Sequence, residues 1–111
     1  MAVTLQADAQ HAYEIVSFKY KSDVPFTTQQ QSTEQLNEIA SRFEGFVSRD
    51  FYYSAEADRW FDFIVWESLE NAKTASEQVM QNPEALKVFE LMDQDSMLFS
   101  HYQRLGGVGH H

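Results

Sequence analysis

The sequence predicts an α+β domain of ferredoxin-like order, β-α-β-β-α-β, with a four-stranded antiparallel sheet. Three observations carry this reading. Four short segments are rich in β-branched and aromatic residues. Two intervening stretches repeat apolar residues at helical spacing. Turn and cap residues stand at the junctions. With that order, both helices lie on one sheet face around a single two-layer core.

Tyr13–Tyr20 is rich in β-branched and aromatic residues and reads as the first strand. Pro25 marks a turn or the first turn of a helix. Thr27 with Gln30, or Thr28 with Gln31, has capping-box spacing. Leu36, Ile39, Ala40 and Phe43 then draw one apolar stripe, and Gly45 suits a left-handed helix stop. Phe46–Tyr53 is the second strand, residues 54–58 a hairpin loop, and Arg59–Trp66 the third strand. Ser68 is placed to cap the second helical segment, with Glu70 in its first turn. That segment runs through Leu69, Ala72, Ser76, Val79 and Met80. Asn82-Pro83 restarts a helix, whose apolar side is Leu86, Phe89, Leu91 and Met92. Met97–Gln103 is the last strand. Residues 1–12 read as a flexible arm, with a short edge strand through Val3, Leu5 and Ala7 as the alternative. Residues 13–104 form the domain, and 105–111 a flexible tail. His110 and His111 look like the start of a purification tag and are set aside.

The third strand poses a problem of burial. Trp60, Asp62, Ile64 and Trp66 point one way, and Phe61, Phe63 and Val65 the other. Helices cover one face only. An apolar second face on a water-soluble sheet marks an interface. Two sheets packed face to face in a symmetric homodimer solve it most simply.

Composition narrows the function. A chain of 111 residues suits one domain. Its net charge of -9 disfavours nucleic acid and anionic membranes as partners. No run is long enough to span a bilayer, and the N-terminus lacks the pattern of a signal peptide. With no cysteine, disulfide and thiolate chemistry are excluded, and a cytoplasmic location fits. No phosphate loop, HExxH or EF-hand pattern appears, and no nucleophilic triad can be assigned by spacing. The expectation is no metal, flavin or nicotinamide.

Several short motifs share an order and spacing with a known family. These are Gly45-Phe46, Ser48-Arg49, Trp60-x-Asp62-x-x-x-Trp66-Glu67-Ser68, Leu69-Glu70-x-Ala72, the Asn82-Pro83 restart and the aromatic final strand. The chain from Tyr13 to about Gln103 resembles the antibiotic biosynthesis monooxygenase-like family of dimeric α+β barrels. The resemblance implies a dimer and a pocket between each sheet and its own helices. It also implies oxygenases that act on aromatic polyketides or quinols without metal or flavin. Other members degrade haem. In that branch a tryptophan matches Trp66, but the haem-ligating histidine falls at about Phe89 and a strand asparagine near Ser17. Phe cannot ligate iron, so haem degradation is disfavoured.

Candidate site residues follow. Trp66 is either core or a wall on which an aromatic substrate stacks. Asp62 between two tryptophans needs a partner. A strand register with Arg49 on the same face supplies one, directly opposite or diagonal, and avoids placing Asp50 against Asp62. Asp62 is then a structural partner of Arg49, or a base or substrate anchor tuned by burial. Arg49 and Trp60 are candidate substrate contacts. His101 is the histidine inside a predicted element and the candidate base, its sheet face undetermined by the sequence. Two functions remain: a cofactor-independent monooxygenase of a small aromatic molecule, or a non-catalytic dimeric binding or stress-related module. A pocket where Asp62, Trp66 and His101 converge favours the first. One plugged by aromatics favours the second.

Overall fold

The computed structural model describes residues 11–109. Its elements are β1 (Ala12–Tyr20), α1 (Phe26–Ser41), β2 (Phe46–Ser54), β3 (Arg59–Trp66), α2 (Leu69–Val79), α3 (Pro83–Glu90) and β4 (Met92–Tyr102). The expected short strand through Val3, Leu5 and Ala7 lies outside the described residues, as do His110 and His111. The four strands form one sheet of order β2-β3-β1-β4, with every neighbouring pair antiparallel. This is the ferredoxin-like α+β arrangement, with the second helical segment divided in two.

That division is built into the sequence. Ser68 Oγ accepts from Asn71 N at 3.0 Å and starts α2. After Val79 the chain turns, and Asn82 Oδ1 accepts from Glu84 N and Ala85 N at 2.9 and 3.0 Å. Pro83 occupies the first turn of α3, where its missing N–H costs nothing. The helix stop at Gly45 also forms as expected, at φ +84°, with the Asn71 side chain packed so closely that no Cβ would fit.

Two expectations are corrected. Neither Thr27 nor Thr28 caps α1. The helix begins at Phe26, after Pro25, with no side-chain cap. Aromatic packing sets its start: the Phe26 ring stacks on Trp60 at 5.8 Å and meets Tyr53 edge-on at 4.9 Å. Gln29 Nε2 donates to Val24 O at 2.9 Å and holds the preceding turn. The last strand starts earlier than Met97. Met92 opens β4 and is buried beneath the helices, and Leu91 caps α3. Between Met92 and Met97, Asp93, Gln94 and Asp95 conceal the strand behind a polar run, and the β1–β4 register shifts between Ser17 and Lys19.

The helix-side face holds two buried clusters. One gathers Phe18, Tyr20, Ile39, Trp60, Val88 and Met92, the other Ala12, Ile64, Trp66, Ala72 and Ala75. The opposite face carries Tyr13, Ile15, Phe61, Phe63, Val65 and Leu98, the sides set by the strand registers. Phe61 is 37% and Leu98 68% exposed. Among the described residues no helix is long and apolar enough to cross a membrane.

Candidate active site

Between the sheet and the helices lies a cavity of about 420 Å³. It takes walls from both buried clusters, Phe18 and Met92 from one and Ile64 and Trp66 from the other. Phe43, Val79 and Phe89 close the helical side. The polar groups on this apolar wall therefore define its chemistry.

The first is a buried ion pair. A bulge between Phe46 and Ser48 fixes the register of β2, so that Arg49 stands opposite Ile64 and Asp62 opposite Phe51. Arg49 thus reaches Asp62 diagonally on the same face. Its Nε donates to Asp62 Oδ1 at 2.9 Å and its Nη2 to Oδ2 at 3.0 Å. Its Nη1 donates to Thr33 O at 2.9 Å and to Asn37 Oδ1. The fork is the geometry of an ionised carboxylate. Burial pushes the Asp62 carboxyl up from its ordinary range, and the Arg49 guanidinium opposes that shift.

The second group is Glu14 on β1. Strand pairing places it opposite Ile64 on one side and His101 on the other. Its carboxylate lines the cavity and is buried. Loss of hydration, reinforced by the negative charge of Asp62, pushes its pKa up to about 7. Glu14 Oε1 lies 3.1 Å from His101 Nε2. Burial and the positive charge of Lys73 hold the His101 imidazole below its ordinary value.

The third group is the indole N–H of Trp66, 2% exposed and on the cavity wall. It is close enough to Glu14 to temper the carboxyl's rise, yet among the described residues it makes no formed hydrogen bond. A buried donor without a partner costs about 1–3 kcal/mol. A ligand oxygen accepting from it would recover that energy.

No family model matches the chain, and no curated protein matches it. Solved structures do match its fold. A variant of SnoaB, a cofactor-independent oxygenase from Streptomyces nogalater, superimposes with a TM-score of 0.75 at 13% identity, covering 91% of this chain and 99% of that one. A candidate antibiotic biosynthesis monooxygenase from Bordetella bronchiseptica gives 0.73 at 20% identity, covering 86% and 98%. Another, from Nitrosomonas europaea, gives 0.68 at 19% identity, covering 96% and 100%. The fold is that of the antibiotic biosynthesis monooxygenase-like proteins.

Within this monooxygenase-like fold the five residues singled out from the sequence separate into groups. Asp62, Arg49 and Trp66 share the cavity. His101 faces the same side of the sheet but stands behind Glu14, outside the lining. Trp60 also lies outside it, in an aromatic cluster with Phe26, Tyr53 and Phe51, its Nε1 donating to Gln29 Oε1 at 3.0 Å. Trp60 is core rather than a cavity contact. Ser17, the position set against the haem branch's asparagine, faces the opposite side and accepts from Arg59 Nη1 at 2.9 Å. Phe89 does reach the cavity. Sequence reasoning missed Glu14. The signal was present: once Phe18 shares a face with Trp60, alternation places Glu14 there too. Among the described residues no three His, Cys, Asp or Glu side chains gather as metal ligands.

Proposed function

We propose that the chain is a cofactor-independent monooxygenase of a small planar aromatic molecule, of quinol or polyketide type, working as a homodimer joined through its sheet faces. The cavity carries this reading. It is unplugged and apolar, and it holds buried carboxylates and an indole donor without a partner among the described residues. Its volume of about 420 Å³ falls within the range of sites for small organic ligands. The fold it shares with SnoaB supports oxygen chemistry, by analogy of fold.

The reaction needs no external reductant. A base in the cavity removes a proton from an activated C–H and leaves a conjugated anion. The anion passes one electron to O₂, and the radical pair combines into a C–O bond. The peroxide takes a proton. Loss of the second C–H proton with cleavage of the O–O bond leaves C=O and one water. The substrate supplies all four electrons, so the balance closes without flavin, nicotinamide or metal. The protein's part is to provide the base, to bind the developing oxyanion and to exclude bulk water.

Exposed Phe61 and Leu98, with half-buried Phe63 and Val65 beside them, support the dimer, since an apolar sheet face left in water is costly. Oxygen uptake with a panel of hydroquinones and anthrones tests the reading. One O₂ should be consumed per anthrone converted to anthraquinone. No uptake with any member of the panel removes it.

A further inference from the structure

Two carboxylates reach the cavity, and their hydrogen bonds give them different tasks. Both oxygens of Asp62 are taken by Arg49, which is itself tied to Thr33 and Asn37 of α1. Turning Asp62 toward a ligand would break a buried fork, so it is committed to the fold. Glu14 is differently placed. Among the described residues its hydrogen bond runs through Oε1 alone, to His101. Oε2 remains for a ligand. β4, which carries His101, is an edge strand of the sheet, next to β1. A line of contacts therefore runs from the cavity through Glu14 to His101 at the sheet edge.

We infer that Glu14 is the base that takes the substrate's proton and that His101 is the relay that carries the proton out of the cavity. This rests on the monooxygenase reading and names its catalytic group. Glu14 carboxylate takes a proton from the acidic C–H. The electron pair left behind delocalises onto a conjugated oxygen, which accepts a hydrogen bond from Trp66 Nε1. Glu14, protonated on Oε2, turns its carboxyl so that the O–H reaches His101 Nε2, which is unprotonated in the Nδ1–H tautomer; the imidazolium so formed releases a proton to water. The substrate is of the class already proposed. It is an aromatic ketone or phenol whose acidic hydrogen is conjugated with an oxygen a few atoms away, as in an anthrone.

The surrounding charges favour proton uptake at Glu14 and make the onward transfer to His101 uphill, so the imidazolium is only a brief carrier. Asp62 on β3 strengthens Glu14's hold on a proton, and Arg49 on β2 weakens it. His101 on β4 faces Glu14, and Lys73 on α2 disfavours a lasting charge on its ring. The imidazole is thus neutral at rest and the imidazolium short-lived. Glu14 titrates at about 7, so the working carboxylate form grows as the pH rises through that value.

The probe is 1,8-dihydroxyanthrone, added without oxygen so that deprotonation is read apart from oxidation. Its anion is followed by visible absorption and its binding by tryptophan fluorescence. Wild-type protein should form the anion increasingly as the pH passes about 7. Glu14→Gln should bind the probe within about threefold of wild type and lose the anion at least ~10-fold. Glu14→Asp, which keeps the charge but shortens its reach, should also lose most of it. On admitting air, His101→Ala should keep the anion but turn over roughly 10–100-fold more slowly, with rate restored by added imidazole. An anion as strong in both Glu14 variants as in wild type, or none in wild type despite binding, overturns the base assignment. Unchanged turnover of His101→Ala, or loss that imidazole does not restore, overturns the relay. Anion formation without oxygen uptake defeats the monooxygenase reading and leaves the base standing. Failure of wild type to bind the probe defeats both.

Discussion

Arg49 grips Asp62 with two nearly parallel hydrogen bonds of 2.9 and 3.0 Å, and the two side chains are only 2% and 7% exposed. Because Arg49 also donates to Thr33 O and Asn37 Oδ1, the pair fastens α1 to the centre of the sheet. Removing one partner leaves the other charged and buried. Asp62→Asn and Arg49→Ala should each destabilise the fold by about 3–5 kcal/mol. Denaturant unfolding of each variant measures this. A loss below roughly 1 kcal/mol, the value of an exposed pair, would show that the fork contributes little.

Glu14 makes stability depend on pH in the opposite sense to an ordinary surface carboxylate. Its pKa is about 7 in the folded protein against an ordinary 4.5, so the folded state holds the proton more tightly than the unfolded one. The associated stability is present below pH 4.5 and is lost as the pH rises through about 7. The full difference is roughly 3 kcal/mol. Glu14→Gln should therefore be more stable than wild type at pH 8, with the gap narrowing as the pH falls toward 5. Equal melting temperatures of the two at both pH values would contradict the burial of the charge.

The outer face of the sheet gives the prediction for assembly. Phe63 stands opposite Ile15 and diagonal to Tyr13, with ring centroids of Tyr13 and Phe63 5.9 Å apart. If that face is covered by a second copy, the protein should scatter as a dimer at micromolar concentration. Phe63→Asp should dissociate or unfold it, since a buried unpaired charge costs several kcal/mol. A wild-type monomer under those conditions would reject the sheet-to-sheet pairing.

The parts of this protein that follow local rules were legible in the sequence. β3 alternates without interruption, so its period of two placed Trp60, Asp62, Ile64 and Trp66 on one face. Ser68, Asn82-Pro83 and Gly45 work within a few residues of themselves, and each does what its chemistry dictates. The unread parts depend on distant contacts. α1 starts where Phe26 finds Trp60, which outweighs the capping pattern at Thr27 and Thr28. β4 starts ahead of a polar run because its partner strand, not its own composition, defines it. Glu14 stood within the first strand and was given no role from the sequence. Only the pairing of β1 between β3 and β4 turns it inward against His101.

Trp66 separates a role in binding from one in folding. Its ring packs edge-on against Phe46 at 5.8 Å and is almost wholly buried, while its N–H has no partner among the described residues. Trp66→Ala removes the whole ring and should cost about 3–5 kcal/mol of stability. Trp66→Phe keeps most of the apolar contact and deletes the unpaired donor. The lost packing costs stability, and removal of an unsatisfied buried N–H recovers about 1–3 kcal/mol, so the two changes should nearly cancel. Affinity should respond differently. If a ligand oxygen accepts from Nε1, the Phe variant loses that hydrogen bond and should bind 1,8-dihydroxyanthrone roughly tenfold more weakly, the equivalent of about 1.4 kcal/mol. The decisive comparison is melting temperature against dissociation constant for the same variant. Unchanged affinity with unchanged stability would mean that the Trp66 N–H faces no acceptor in the complex, and the oxyanion would need another donor.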